Sequence, residues 1–326
     1  MIITRTPLRI TLGGGGTDLP SYYEQFGGLV LSAAINRYIY VAINRTFTDD
    51  YFLKYARLER VREIDDIEHP IIREALRLYP IGPSIELVSV ADIPASTGLG
   101  SSGTFTVGLL RAIYAYLRRS LTTEQNAAEA CHIEMDLLGR PVGKQDQYAA
   151  AYGGLQYMTI DTDGQVTVAP LGISDDTLLD LQEHLCMFFT GYSRSADSIL
   201  EEQRAGSNRG ESGIVESLHV IKAIGDSSRD ALQAGDTSTF GALMNEHWEH
   251  KKRRSSSMSN SAIDRLYQAG MDGGALGGKL VGAGSGGFLL FYTRDTDRLR
   301  AAMTAQGLSE VRFHFDHDGA VVLVRD

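Results

Sequence analysis

Residues 94–103 read PASTGLGSSG and follow a strand-like run, IELVSV at 85–90. Periodicity predicts a helix over 103–119 directly behind them. Glycine leaves backbone N–H groups bare and close to a ligand, which suits phosphate. A helix N-terminus adds about half a positive charge and several unpaired N–H groups. Ser101 and Ser102 add hydroxyls, and a serine hydroxyl can also ligate Mg2+. Read alone, the segment is equally well a tight turn before a capped helix.

Two more glycine clusters stand at 13–16 and 282–287. Gly98, Gly100 and Gly103 match the dinucleotide pattern G-x-G-x-x-G, and so do Gly282, Gly284 and Gly287. That pattern needs a strand before it, a helix after it and an acidic residue about 20 positions on, at the end of the next strand. Behind the first match that position falls at the start of another helix, and the second match runs into the strand-like Phe288-Leu289-Leu290-Phe291-Tyr292. Residues 273–279 nearly spell a phosphate-binding P-loop, but Leu280 stands where Ser or Thr must reach Mg2+. These readings are set aside.

A helix is expected over 123–138, with Thr122 and Gln125 as a capping box and Gly139 as its stop. With about 100° per residue, Ala127, Ala130, Cys131, Leu137 and Leu138 fall within about 60° of Glu134. Glu129, His132 and Asp136 fall opposite. Glu134 thus sits in the apolar arc, where a carboxylate needs a cation, hydrogen bonds or a metal held against phosphates. The alternative is a salt bridge to a core arginine. Residues 139–146 (GRPVGKQD) form a polar loop ending in Asp146. Asp146 is either a helix cap or a base for an attacking hydroxyl.

The remaining chain sets bounds. Its 326 residues suit two domains sharing a cleft, with a boundary expected around 165–182. Strands are expected at 2–12, 155–160, 185–190, 287–292, 311–316 and 320–324, and a long apolar stretch at 29–43. Helices are expected at 196–204, 211–234, 262–269 and 296–306. That order is mixed α+β. With 43% hydrophobic and 22% charged residues, the chain belongs to the soluble globular class. A formal net charge of −10 argues against a general nucleic-acid surface. Lys251-Lys252-Arg253-Arg254 reads as a solvated helix face. Cys131 and Cys186 read as reduced core residues. No stretch nears the roughly 18 apolar residues of a membrane span, and no signal peptide is evident, so the cytoplasm is the expected compartment. His247 and His250 read as a polar helix face, Trp248 as a core anchor, and Tyr22 and Tyr23 as either core or pocket lining.

Taken in order, these pieces resemble the GHMP kinases, the family of galactokinase, homoserine kinase and mevalonate kinase. Three stretches carry the resemblance: Pro7-Leu8-Arg9-Ile10 through Gly15-Gly16-Thr17-Asp18, residues 94–103, and Lys279-Leu280-Val281-Gly282-Ala283-Gly284-Ser285-Gly286-Gly287. Gly103 departs from the alanine most common there. The resemblance implies an N-terminal domain like ribosomal protein S5 domain 2 over 1–170 and a ferredoxin-like C-terminal domain over 171–326, with the active site between them. It implies ATP and Mg2+ as cofactors. It casts Asp146 as catalytic base and Arg9 as support for the attacking oxygen. Gly98, Gly100, Ser101, Ser102 and Gly103 would bind the nucleotide, and Ser102 and Glu134 the metal. Gly15, Thr17, Asp18, Gly282, Gly284 and Gly286 would bind substrate.

Within the family, residues 14–23, 189–196 and 245–252 resemble the heptose kinases. This implies phosphorylation of the anomeric hydroxyl of a heptose 7-phosphate to the 1,7-bisphosphate, in nucleotide-activated heptose biosynthesis. A sugar that already carries a phosphate needs a second cationic pocket. Arg194, Lys251, Lys252, Arg253 and Lys144 are its candidates, with Arg194 and the 251–254 helix ahead. The expected partner is a small sugar phosphate, with no nucleic acid and no membrane; a homodimer is left open. The alternatives are a kinase for another sugar, such as fucose or mannose, and a non-catalytic nucleotide-binding protein on the same fold.

Overall fold

Two long strands carry the first half of the chain: β1 (Ile2–Gly13) and β2 (Gly28–Arg45). They pair antiparallel along almost their whole length, from Ile2 opposite Ile43 to Gly13 opposite Leu31. The computed structural model describes residues 1–191, 201, 212–254, 258–282, 284 and 286–326. The expected helix at 196–204 lies almost entirely outside them, and Arg194 lies outside them.

The remaining elements, in chain order, are α1 (Pro20–Phe26), β3 (Tyr51–Lys54), β4 (Leu58–Val61), α2 (Pro70–Leu78), β5 (Ile85–Ala91), α3 (Ser101–Tyr116), α4 (Thr123–Cys131), α5 (Gln145–Tyr152), β6 (Leu155–Ile160), β7 (Val166–Pro170), α6 (Asp175–His184), β8 (Leu185–Phe189), α7 (Ser212–Gln233), α8 (Thr237–Lys252), α9 (Ser261–Asp272), β9 (Ala275–Leu280), β10 (Phe288–Thr293), α10 (Thr296–Ala305), β11 (Ser309–Glu310) and β12 (Val321–Arg325).

β2 is long enough to serve two neighbours. Its first half pairs with β6 and its second half with β5. The eight-stranded sheet runs β12-β1-β2-β5-β3-β4, with β6 and β7 beside the first half of β2. β12 brings the chain's end back against β1, so the first sheet draws on both ends of the sequence. The second sheet is antiparallel in the order β11-β8-β10-β9. Numbered along the chain that is 4-1-3-2, with α7–α9 between its first and second strands and α10 between its third and fourth. This is the β-α-β-β-α-β ferredoxin-like pattern the resemblance implies.

Two expectations are corrected. The helix over 123–138 starts as expected, with both halves of the Thr122–Gln125 capping box formed. After Cys131 it widens into a π turn over His132–Leu137. The wider turn breaks the 100° stepping. Glu134 stays buried, but Leu137, placed on the apolar arc by that stepping, is 41% exposed. The strand expected over 311–316 does not form. Phe313 and Phe315 are buried in alternation, yet their backbone makes only one bridge, Ile35 to Phe315.

Among the described residues no helix is long and apolar enough to cross a membrane. Cys131 and Cys186 are free and buried.

Candidate active site

The 94–103 loop enters α3 through Gly100, whose left-handed backbone makes the corner. It is clamped from the other half of the chain. A Cβ on Gly98 would stand 2.5 Å from the Val281 carbonyl oxygen, and one on Gly282 would stand 2.3 Å from the Gly98 Cα. Both residues also hold positive φ. The middle and last glycine clusters therefore interlock backbone to backbone, a fit only glycine allows.

Arg9, near the middle of β1, is buried beneath this loop. Its backbone N–H donates to the Leu99 carbonyl at 3.1 Å. One guanidinium N–H donates to the Gly98 carbonyl at 2.7 Å. Nε and a second terminal nitrogen reach Asp146 Oδ1 at 2.8 and 2.6 Å. Asp146 lies in the first turn of α5, but it is not the cap: Lys144 holds that position without a side-chain bond. Oδ2 of Asp146 makes no hydrogen bond or ion pair among the described residues. Gly103 makes room for Asp146, since a Cβ there would come within 2.7 Å of the Asp146 Cβ. The departure from alanine thus touches the position of Asp146.

Asp18 is fully buried beside them. Its Oδ1 accepts the Gly16 N–H at 3.0 Å and its Oδ2 the Gln145 N–H at 3.2 Å. Burial, and then the charge of Asp146, raise its pKa above the usual carboxylate value. Gln145 is a link that the motifs did not single out. Its side chain takes the Thr11 hydroxyl at 2.7 Å and donates to Asp18 at 3.4 Å.

Glu134 faces the first turns of α3 from behind. Oε1 accepts from Thr106 at 3.2 Å and Gln147 at 3.0 Å, and Oε2 from Arg140 at 2.8 Å. Burial raises its pKa; Arg140 and then the Ser102 hydroxyl oppose that rise. The salt bridge expected as the alternative forms, to Arg140, and Glu134 also lies beside Ser102, the other residue the resemblance casts at the metal. Among the described residues no cluster of three or more His, Cys, Asp or Glu could hold a metal. Ser101 Oγ is buried with no hydrogen-bond partner among the described residues.

Beside these groups lies a cavity of about 940 Å³. Arg9, Gly15, Asp18, Gly98, Gly100, Ser101, Ser102, Asp146 and Gly282 all line it. Thr17 does not. Its hydroxyl is buried and bonded to the Gly14 and Leu29 carbonyls and the Leu29 N–H, so it shapes the loop. Gly284 packs on Met258, and neither it nor Gly286 lines the cavity. Glu134 and Gly103 stand one layer behind the wall.

The basic run 251–254 is not one solvated face. Lys252 pairs with Glu249 at 2.8 Å and Arg253 is exposed, whereas Lys251 and Arg254 are buried and line the cavity. Lys144 binds the Gly164 carbonyl and lies over the Tyr23 ring, outside the cavity lining. Lys279 and His247 also line the cavity and were not expected there. One signal could have found them. On α8, Phe240, Met244, His247, Trp248 and Lys251 share the buried stripe at spacings of three and four. A histidine and a lysine on an apolar stripe deserve the question asked of Glu134.

The comparisons with known proteins agree with this geometry. Residues 67–154 match the GHMP kinases N terminal domain, and residues 228–308 match the GHMP kinases C terminal domain. The chain is 32% identical to the D-glycero-alpha-D-manno-heptose 7-phosphate kinase of Campylobacter jejuni, over 98% of this chain and 97% of that one. It superposes on the crystal structure of a D-glycero-D-manno-heptose 1-phosphate kinase from Bacteriodes thetaiotaomicron with a TM-score of 0.83 and 28% identity, covering 99% of each chain. A putative sugar kinase from Campylobacter jejuni superposes with a TM-score of 0.77 and 29% identity, covering 98% of this chain and 97% of that one. The chain belongs to the GHMP kinase family. Kinases of this family take ATP as phosphoryl donor.

Proposed function

We propose that this chain, an ATP-dependent sugar kinase, phosphorylates the anomeric hydroxyl of D-glycero-D-manno-heptose 7-phosphate. The product is the 1,7-bisphosphate, an intermediate toward nucleotide-activated heptose. The observation that carries the chemistry is the Arg9–Asp146 pair. One guanidinium ties the acidic side chain to the Gly98 carbonyl of the glycine loop through Oδ1, on a residue that lines the cavity. Likeness to the Campylobacter jejuni heptose 7-phosphate kinase supports the acceptor.

In this reading the loop 98–103 and the N-terminus of α3 hold the triphosphate, with the Ser101 hydroxyl as a donor. Asp146 Oδ2 orients the attacking hydroxyl and accepts its proton as the new O–P bond forms and ADP leaves. Arg9 fixes that carboxylate and favours charge on the attacking oxygen. Asp18, held by Gln145 and Gly16, takes sugar hydroxyls beside Gly15. Ser102 on the cavity wall would offer Mg2+ its hydroxyl, and Glu134, one layer behind and held by Thr106, Gln147 and Arg140, its carboxylate, beside phosphate oxygens and water. Bound there, Mg2+ would neutralise charge on the transferring phosphates.

The two-domain division at 170 belongs to the same reading, with β12 added to the first unit. So does the cytoplasm as compartment, in keeping with two free cysteines.

ADP release measured across phosphorylated and unphosphorylated heptoses and hexoses tests the assignment. The heptose 7-phosphate should have the highest kcat/KM. Turnover of unphosphorylated sugars alone would remove it.

A further inference from the structure

We infer that Lys251, Lys279 and Arg254 form the seat for the phosphate group that the acceptor sugar already carries. This rests on the sugar-phosphate reading above and adds where that phosphate binds.

Lys251 comes from the last turn of α8, Arg254 from just beyond it and Lys279 from β9, and all three are buried. Lys251 donates to the carbonyls of Leu280, at 2.9 Å, and Gly282. Lys279 donates to the Leu12 carbonyl at 2.9 Å and meets His247 Nδ1 at 3.3 Å. Among the described residues neither lysine has a carboxylate within ion-pair distance. Arg254 reaches the Gly15 carbonyl at 3.2 Å, which puts it against the loop that carries Asp18.

Burying two ammonium groups with no carboxylate in ion-pair distance is costly, and proteins that keep such groups use them. Burial, and then the charge of Arg254 for Lys251 and of Arg9 for Lys279, push the pKa of each lysine well below its usual value. A bound dianion would offset both effects. His247 adds a neutral imidazole, since burial and Lys279 hold its pKa well below the usual one.

The triphosphate has donors of its own at the start of α3. The cation group comes from the other half of the chain, and Arg254 bonds the 13–16 loop beside Asp18. That favours the phosphate monoester of the acceptor over the γ-phosphate of ATP. An arginine fork beside two ammonium groups suits such a dianion.

The test uses full-length wild type with Lys251→Met, Arg254→Gln and the charge-keeping Arg254→Lys. D-glycero-D-manno-heptose 7-phosphate and the same heptose without phosphate are the acceptors. Both neutral substitutions should cut the preference for the phosphorylated acceptor, as a ratio of kcat/KM values, by at least about 30-fold, or about 2 kcal/mol. Arg254→Lys should restore part of it. Equal losses on both acceptors, or a rise in KM for ATP larger than that for the sugar phosphate, would overturn the inference.

Inorganic phosphate serves as a probe that needs no sugar. It should compete with the acceptor and not with ATP in wild type, and should inhibit much less in both neutral variants. Competition with ATP alone would assign the cations to the triphosphate. If wild type used only unphosphorylated sugars, the acceptor assignment would fall by itself. The phosphate competition would still report whether these cations bind an anion on the acceptor side.

Discussion

On the N-terminal wall of the cavity, Arg9 gives its guanidinium to Asp146 and to the Gly98 carbonyl, and Asp18 is held by two backbone N–H groups. On the C-terminal wall, Lys251 and Lys279 give their ammonium groups to carbonyls and an imidazole. The first wall is already compensated. Its charges are paired and its geometry is fixed before any ligand arrives, as a site for proton and phosphoryl transfer requires. Among the described residues, the two lysines of the second wall have no carboxylate within ion-pair distance. Those ammonium groups would gain an anionic partner when the acceptor's phosphate binds, which would favour a charged substrate.

The largest effect should come from breaking the compensated wall. Asp146→Asn keeps the shape and removes the base. It should lower kcat by about 10³-fold, about 4 kcal/mol, with ATP affinity within about threefold of wild type. Steady-state turnover and a nucleotide titration check this, and turnover within tenfold of wild type removes Asp146 as the base.

Next is the interlock between the walls. Gly98→Ala puts a methyl group against the Val281 carbonyl at a positive φ. It should cost about 2 kcal/mol of stability and several degrees of Tm, and raise KM for ATP. An unchanged melt together with an unchanged KM would mean the two backbones do not meet as described.

Glu134→Gln removes a proposed metal oxygen while nearly keeping the shape. Mg2+ titrations of activity should show an apparent affinity weaker by about 10–100-fold. An identical Mg2+ titration would leave Glu134 as the partner of Arg140 alone.

The smallest effect concerns the second wall without ligand. His247 is buried with its pKa held well below the usual 6.5. The unfolded chain takes up a proton there that the folded chain does not. That contribution to stability is complete above pH 6.5 and is lost as pH falls below it, by up to about 1.4 kcal/mol per pH unit. Melts between pH 7 and pH 5 should fall less steeply in His247→Gln than in wild type. Parallel slopes would mean that His247 is protonated in the fold.

Much of the first wall was legible in the sequence, because its residues sit in or beside glycine segments whose order along the chain restricts what they can build. Arg9, Asp18, Ser102 and Asp146 meet in one cavity from three separate stretches. Glu134 was legible for a different reason, a charge out of place on a helical wheel. The π turn that follows was not, since nothing local marks an i→i+5 turn, and Leu137 was misplaced with it.

The second wall was hidden by the opposite habit. Lys251 and Arg254 sit in a basic run that reads as solvated, although three-residue spacing puts both on one face. Lys279 is a single lysine near the end of a strand, and it is buried where its ammonium reaches the Leu12 carbonyl and His247. The strand expected at 311–316 failed because alternating phenylalanines report burial and not pairing. Thr17 lies inside a glycine motif but turns inward, which the motif alone does not reveal.

The most direct measurement of the central claim is phosphorus NMR of the product formed from ATP and D-glycero-D-manno-heptose 7-phosphate. The predicted result is one ADP per sugar, a new phosphate resonance coupled to the anomeric proton, and the 7-phosphate resonance retained. A new phosphate at any other carbon, or product only from sugars without a phosphate, would contradict it.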